Sequence, residues 1–290
     1  PAWSQIRPAA DLSDTWILSR LNSTIASVTA AVEAFKYSEM AEAIYHFMWD
    51  DLCNWYLEIA KFRIGAGQDT PKAIVAHCLD VLLRLLHPIC PFITEAIWAQ
   101  LNELVPMRGP GGSTGEPVLA RAAWPRADAA AINEPVEQQF EMLTDLIRQC
   151  RNIRTKHAVA PSDRINAIVD ASGDESRTVS ENIELIKAQA GLGEITVGDA
   201  ETAQPSGSGA VTGGGVRIFL LDVIDASAEI ARLTKQAETL QKGIAGIQGK
   251  LGNENFVSKA PAELVEKERQ RMEGLQRDLQ TVQEALEAVG

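Results

Sequence analysis

Two apolar seams near the end of the chain constrain its fold most. Ile230, Leu233, Ala237, Leu240, Ile244, Ile247 and Leu251 are spaced alternately three and four apart, and Val265, Glu268, Met272, Leu275, Leu279, Val282 and Leu286 repeat the pattern. Glu268 is the one polar member. A repeat averaging 3.5 residues keeps one stripe of a helix facing a partner. Two such stripes joined by a short corner predict an antiparallel coiled-coil hairpin over 226–290. At about 1.5 Å per residue each helix would reach about 35–40 Å, so the pair must project as an arm. At the corner, "NENFVSKAPAEL", Gly252 and Asn253 suit the end of the first helix and Pro261 the first turn of the second. Phe256 and Val257 are expected to fold inward and close the seam. Gly243, Gly246 and Gly249 each cost about 1 kcal/mol against Ala in a helix. They mark either a bare surface for close backbone approach or an exposed face without a role.

Residues 12–104 show a different helical signal, with apolar residues at helix spacing and no sustained heptad. Trp16, Ile17, Leu21, Ile25, Val28 and Val32 define one helix. After a break with Ser38 as candidate N-cap, Ala43, Ile44, Phe47, Met48, Leu52, Trp55 and Ile59 define a second. Thr70 as N-cap and Pro71 at the first helical position open a third, which Pro88 stops. Pro91 opens a fourth, predicted to bury Phe92, Ile93, Ile97 and Leu101. These helices make a bundle, closed by the loop "PMRGPGGSTGE" and a short extended piece ending at Trp124 and Pro125, so that the bundle domain covers 1–132.

Between bundle and arm, residues 133–225 read as a small α/β domain. A helix from about Glu134 places Phe140, Leu143, Ile147 and Cys150 on an apolar face. A strand at 164–171, a helix "ENIELIKAQAG" ended by Gly191, a short strand "EITVG" and a longer strand "GVRIFLLD" follow. The segment "AQPSGSGAVTGGG" lacks the Lys-Ser/Thr ending of a phosphate-binding loop and is read as a flexible connection. The fold class is mainly α.

Composition narrows the function. Among 290 residues the formal charge is -12, which disfavours nonspecific nucleic-acid binding over the whole surface and leaves room only for local basic stripes. No apolar run approaches the roughly 20 residues of a membrane span, and the start lacks a signal-peptide layout, so no membrane and a cytoplasmic location are expected. Four scattered cysteines, Cys53, Cys78, Cys90 and Cys150, follow no disulfide or CxxC spacing. Pro1 in place of an initiator Met reads as the interior of a longer polypeptide. Neither His77-Cys78 with His87 and Cys90, nor Asp50, Asp51 and Glu58, completes a metal or acid-base site, because these residues are separated along or around their helices. No catalytic residue, metal site or cofactor site is expected.

Three stretches, "WILSRLN" (16–22), "LCNWYLEIAK" (52–61) and "LLRLLHPICPFITEAIW" (82–98), resemble the anticodon-binding helical domain of the class I aminoacyl-tRNA synthetases for valine, isoleucine and leucine. The third is the most specific, through His87, Pro88, Pro91, Phe92, Thr94, Glu95 and Trp98. Asn54 departs from the Asp common before Trp-Tyr. The stretch Asn253, Phe256, Val257, Lys259, Ala260, Pro261, Val265 and Glu266-Lys267-Glu268 is similar to the C-terminal coiled coil of the valyl-tRNA synthetase family. No cysteine follows Cys150, unlike the zinc-bearing tail of the isoleucine enzymes.

The resemblance implies that the bundle docks on the anticodon stem-loop of tRNA(Val) and the arm on the tRNA elbow. On the bundle the candidates are Arg20, Lys61 and Arg63, each weighed against an intrabundle ion pair. Arg148, Arg151, Arg154, Lys156 and Arg164 form the densest basic cluster of an acidic chain. On the arm Arg232, Lys235, Lys242, Lys259 and Arg271 are candidates, although flanking charges of a coiled coil usually serve pairing and solubility. The expected whole is a monomeric valine-tRNA ligase whose catalytic and editing domains, ATP and magnesium lie on other parts of the same polypeptide. The rival is a noncatalytic helical adaptor that keeps the tail and binds protein.

Overall fold

The computed structural model describes residues 11–108, 115–198, 204–205, 207–213, 215–223, 226–252 and 262–289. By packing they fall into two units, one of residues up to 148 with 177–190, the other of 149–176 with 191 onward.

In the first unit α1 (Leu12–Glu33) is capped by Asp11, whose carboxylate accepts the Ser13 amide. It buries Trp16, Ile17, Leu21, Ile25 and Val28, the stripe read from sequence. The second helix differs from that reading in two ways. It starts at Tyr37, with Lys36 at the cap and no side-chain capping bond, so Ser38 lies inside it. It is also interrupted: α2 (Tyr37–His46) passes through a π-helical stretch, Phe47–Tyr56, into α3 (Leu57–Gly65). The Leu57 amide donates to the Leu52 carbonyl, five residues back. Through the widened turn Phe47, Leu52 and Trp55 stay in the core as read from sequence, and Tyr56, which the stripe did not include, joins them. In α4 (Thr70–Leu86) the cap is Asp69, one residue earlier than expected, with Pro71 in the first turn.

Helix α5 (Pro91–Leu104) overturns an expectation. Its buried residues are Thr94, Trp98 and Leu101, while Phe92 and Ile93 are exposed. Trp98 packs with Leu83, Leu101 and Leu119. With Trp98 facing inward, Phe92 and Ile93 in the first turn fall outside the buried stripe. Arg108, from the supposed loop, is buried against Trp98, its guanidinium carbon 4.3 Å from the ring centroid. Its Nε donates to Asp80 at 2.8 Å. Residues 109–114 of the glycine-rich loop lie outside the described residues.

The second unit carries a sheet of order β2-β1-β4-β3, with β1 Ile165–Asp170, β2 Leu192–Gly198, β3 Gly209–Gly213 and β4 Val216–Leu220. β1 is parallel to β2 and antiparallel to β4, with Val169 opposite Ile218. β3 and β4 form an antiparallel pair. The stretch read as a flexible connection therefore holds an edge strand. The reason is local: a Cβ on Gly209 would come within 2.8 Å of the Ile153 side chain, so the glycine that weakens the strand signal is what lets the backbone approach. α6 (Glu134–Lys156) runs from one unit into the other. It buries Phe140, Leu143, Ile147 and Cys150 as read. The β1–β2 crossover contains two helices, α7 (Gly173–Glu181), absent from the sequence reading because it has no apolar stripe, and α8 (Ile183–Ala190). α8 packs on α3 of the first unit, although sequence placed it with the α/β domain.

α9 (Ala226–Leu251) and α10 (Ala262–Val289) lie antiparallel. Leu233 and Ala237 cluster with Val282, Gly243 faces Leu275 and Lys250 reaches Glu268 at 3.4 Å. The seam holds except at Ile230, which is exposed. A Cβ at Gly246 or Gly249 would meet nothing within 4 Å, so these face open space. The corner residues Asn253, Phe256, Val257, Lys259 and Pro261 lie outside the described residues. Glu268 Oε2 is buried without a hydrogen-bond partner, which costs about 1–3 kcal/mol. Glu268→Leu should therefore raise the helical pair's unfolding free energy by about 1–2 kcal/mol, measured by urea titration of helicity. An unchanged or lower midpoint would show that the carboxylate is satisfied in solution.

Candidate nucleic-acid interface

The basic residues singled out from sequence separate by what their guanidinium and ammonium groups touch. Arg63 is inside the bundle. Its NH1 and NH2 donate to the two Asp14 carboxylate oxygens at 2.5 and 2.9 Å, its Nε donates to Gln68, and the Tyr56 hydroxyl donates to the same carboxylate at 2.6 Å. Asp14 is almost fully buried. Burial, with Asp14 alongside, raises the Tyr56 phenol above its usual range. Arg63 thus ties the start of α1 to the end of α3, which removes it from the surface expected to meet phosphate.

Arg154 is corrected in the same way. Buried, it donates to the carbonyls of Gly191, Ala160 and Asp163 at 2.9–3.0 Å. Gly191 ends α8 at a φ of +69°, and a Cβ there would lie 3.2 Å from the Arg154 guanidinium. The residue is a pin for the sheet's edge loops. Sequence spacing could not show this, because its partners are backbone carbonyls 6 to 37 residues away.

Arg20 is half-exposed and bridges two acids, Asp51 at 2.9 Å and Glu137 at 3.2 Å. Burial raises the Asp51 carboxyl despite the attraction of Arg20. Arg20 and Arg148 line one crevice with Trp16, Trp55 and Phe140, where Trp16 and Phe140 stack with centroids 4.0 Å apart. Arg148 is exposed, pairs with Asp145 and sits 5.5 Å over Trp55. Lys61 is exposed and pairs with Glu58 at 2.6 Å, an exposed pair worth little against a phosphate.

Arg151, Lys156 and Arg164 in the second unit are exposed. So are Lys235, Lys242 and Arg271 on the helical pair. Arg232 lies on α9 with its side chain outside the described set, as Lys259 is altogether. Two exposed aromatics, Tyr45 and Trp49, were hidden from sequence reading inside an apolar-looking helix. Their flat faces are what an unstacked base needs.

His77 is pulled down to about 4 by burial and so is neutral at pH 7. Among the described residues no group of three or more His, Cys, Asp or Glu side chains is placed to hold a metal ion, and no helix is long and apolar enough to cross a membrane.

Residues 14–169 match the family described as the anticodon-binding domain of tRNA ligase. Residues 225–290 match the valyl tRNA synthetase tRNA binding arm. The valine-tRNA ligase of Rhodopirellula baltica is 36% identical over 282 residues, 93% of this chain and 27% of that protein. Those of Listeria monocytogenes and Bacillus subtilis are 35% and 33% identical over 265 and 266 residues, covering 89% and 90% of this chain and 29% of each relative. The chain thus spans under a third of the length of these curated relatives. With both recognition modules present in order and relatives that match about nine-tenths of this chain, the chain belongs to the valyl-tRNA synthetase family, as a segment holding its anticodon-binding domain and its tRNA-binding arm.

Proposed function

We propose that this chain is the tRNA-recognition part of a valine-tRNA ligase, with the bundle on the anticodon stem-loop of tRNA(Val) and the helical pair on the tRNA elbow. The observation that carries the reading is the joint presence of the two modules in one chain; it favours the ligase over the adaptor. The split of contacts suits the chemistry. RNA loops are read by aromatic, arginine and polar side chains, and helical regions are gripped through shape and phosphate. Tyr45, Trp49 and Arg148 offer the first kind, and Lys156, Arg164, Lys235, Lys242 and Arg271 the second. Arg20 and Lys61 would contribute only by exchanging an acid for a phosphate.

In the whole enzyme, a cytoplasmic monomer on this reading, ATP activates valine and the acyl group passes to the tRNA 3′ end. ATP and magnesium belong with the catalytic part of the polypeptide, and the basic and aromatic residues named above act on the tRNA. The chain by itself should bind tRNA(Val) with an affinity that falls steeply with salt. Six to ten phosphate contacts would lower it about 10³–10⁵-fold between 50 and 200 mM. It should give no valine-dependent exchange of pyrophosphate into ATP. Salt-indifferent binding, or measurable exchange, would count against the assignment.

A further inference from the structure

One end of the bundle exposes an apolar surface that tRNA recognition leaves unexplained. The Asp14–Arg63 pair sets α1 antiparallel to α3, and the short turn after Gly65 reverses the chain again, so α4 runs with α1. Thr29 and Arg84 meet the adjacent residues Trp124 and Ala123. The corner after α1 and the corner after α4 therefore lie at the same end. Phe35 (78% exposed) and Tyr37 (58%) stand on the first, Ile89 (47%), Phe92 (91%) and Ile93 (63%) on the second.

Both corners are held in place. Lys36 N donates to Ala31 O and Phe35 N to Val32 O, a helix ending whose left-handed position usually carries glycine. Here it carries Phe35, at a φ of 57°, a conformation unfavourable for a bulky side chain. At the second corner Thr94 Oγ1 donates to Cys90 O at 2.7 Å and lies 2.9 Å from His87 Nδ1. An aromatic that is both strained and in water gains nothing within the bundle.

We infer that this end is a docking face for an apolar surface of the rest of the ligase polypeptide. The inference rests on the reading of the chain as part of a valine-tRNA ligase. Two observations choose that occupant over RNA. Residues 85–107, which carry Ile89, Phe92 and Ile93, contain no Lys or Arg, so the corner between α4 and α5 offers phosphate no cation of its own. The relatives are more than three times as long as the matched segment, which supplies the missing protein surface. Exposed aromatics at the centre of such a patch are the usual carriers of interface energy.

Cys90 reports on the face directly. It is exposed, whereas Cys78 and Cys150 are buried and burial pushes the Cys150 thiol up to about 12. Alkylation by iodoacetamide, resolved by site with mass spectrometry, should be at least about tenfold slower at Cys90 in the full-length ligase than in this chain alone. Equal rates in a full-length protein that charges tRNA with valine would overturn the docking face. A full-length protein that does not charge tRNA would instead overturn the functional reading and the docking face with it. Phe92→Ser in the full-length enzyme should slow aminoacylation about 10–100-fold through misplacement of the bound tRNA, while the same substitution leaves tRNA affinity of the separate chain unchanged. Loss of that affinity would make the face an RNA site and refute the proposal, as would unchanged aminoacylation.

Discussion

Asp14→Ala should lower the unfolding free energy of the bundle by about 3 kcal/mol, because it leaves the Arg63 guanidinium buried without its close charge partner. The loss falls at the lower end for a broken buried pair because the more exposed Asp11 carboxylate still lies 3.1 Å from Arg63. The same change removes the acceptor of the Tyr56 hydroxyl and leaves Ser13 and Gln68 as neutral partners of the guanidinium. Replacing both charges, Asp14→Leu with Arg63→Met, should cost less than Asp14→Ala alone, since no poorly paired charge is then left inside. Urea unfolding followed by tryptophan fluorescence reads the effect through Trp16 and Trp55, both in this core. A loss below about 1 kcal/mol for Asp14→Ala would mean that water reaches the pair and that its burial is not maintained in solution.

The second large effect concerns RNA binding and separates two kinds of basic residue. Lys156→Glu with Arg164→Glu should weaken tRNA binding across sequences and reduce the slope of log affinity against log salt by about 2, one for each lost phosphate contact. Arg154→Ala, by contrast, should leave that slope alone. It strips donors from three carbonyls, and about 1–3 kcal/mol of stability should go with it. Filter binding at several salt concentrations, with melting curves in parallel, tests both. If Arg154→Ala flattened the salt slope without a loss of stability, its burial would be wrong; if the double variant kept the full slope, these cations would not face phosphate.

Much of the fold was legible because its signals are periodic. The α1 stripe, the inward face of α6 and the two arm seams are each set by residues a few positions apart, and local spacing is enough to place them. The misses have a common origin. Phe92 and Ile93 carry the hydropathy of core residues, but Trp98 and Leu101 decide which side of α5 turns inward. β3 was hidden because glycine, which weakens a strand, is required there by the approach of Ile153. The π-helical stretch between His46 and Leu57 adds Tyr56 to the inward face that Phe47, Leu52 and Trp55 already marked, and no local pattern announces the wider turn.

The candidate site was legible as a set of cations and not as a surface. By itself the sequence determined the helical bundle, the α/β element, the paired arm helices and the family resemblance carried by His87–Trp98 and by the arm. Only the tertiary structure decided that Arg63 and Arg154 are internal pins and that Phe35, Tyr37, Phe92 and Ile93 face outward. The physical reason is that a charge's role depends on the partner it meets, and for Arg63 and Arg154 that partner is Asp14, 49 residues away, and a set of carbonyls up to 37 residues away. Distances of that kind in the chain are closed by packing, which no local spacing encodes.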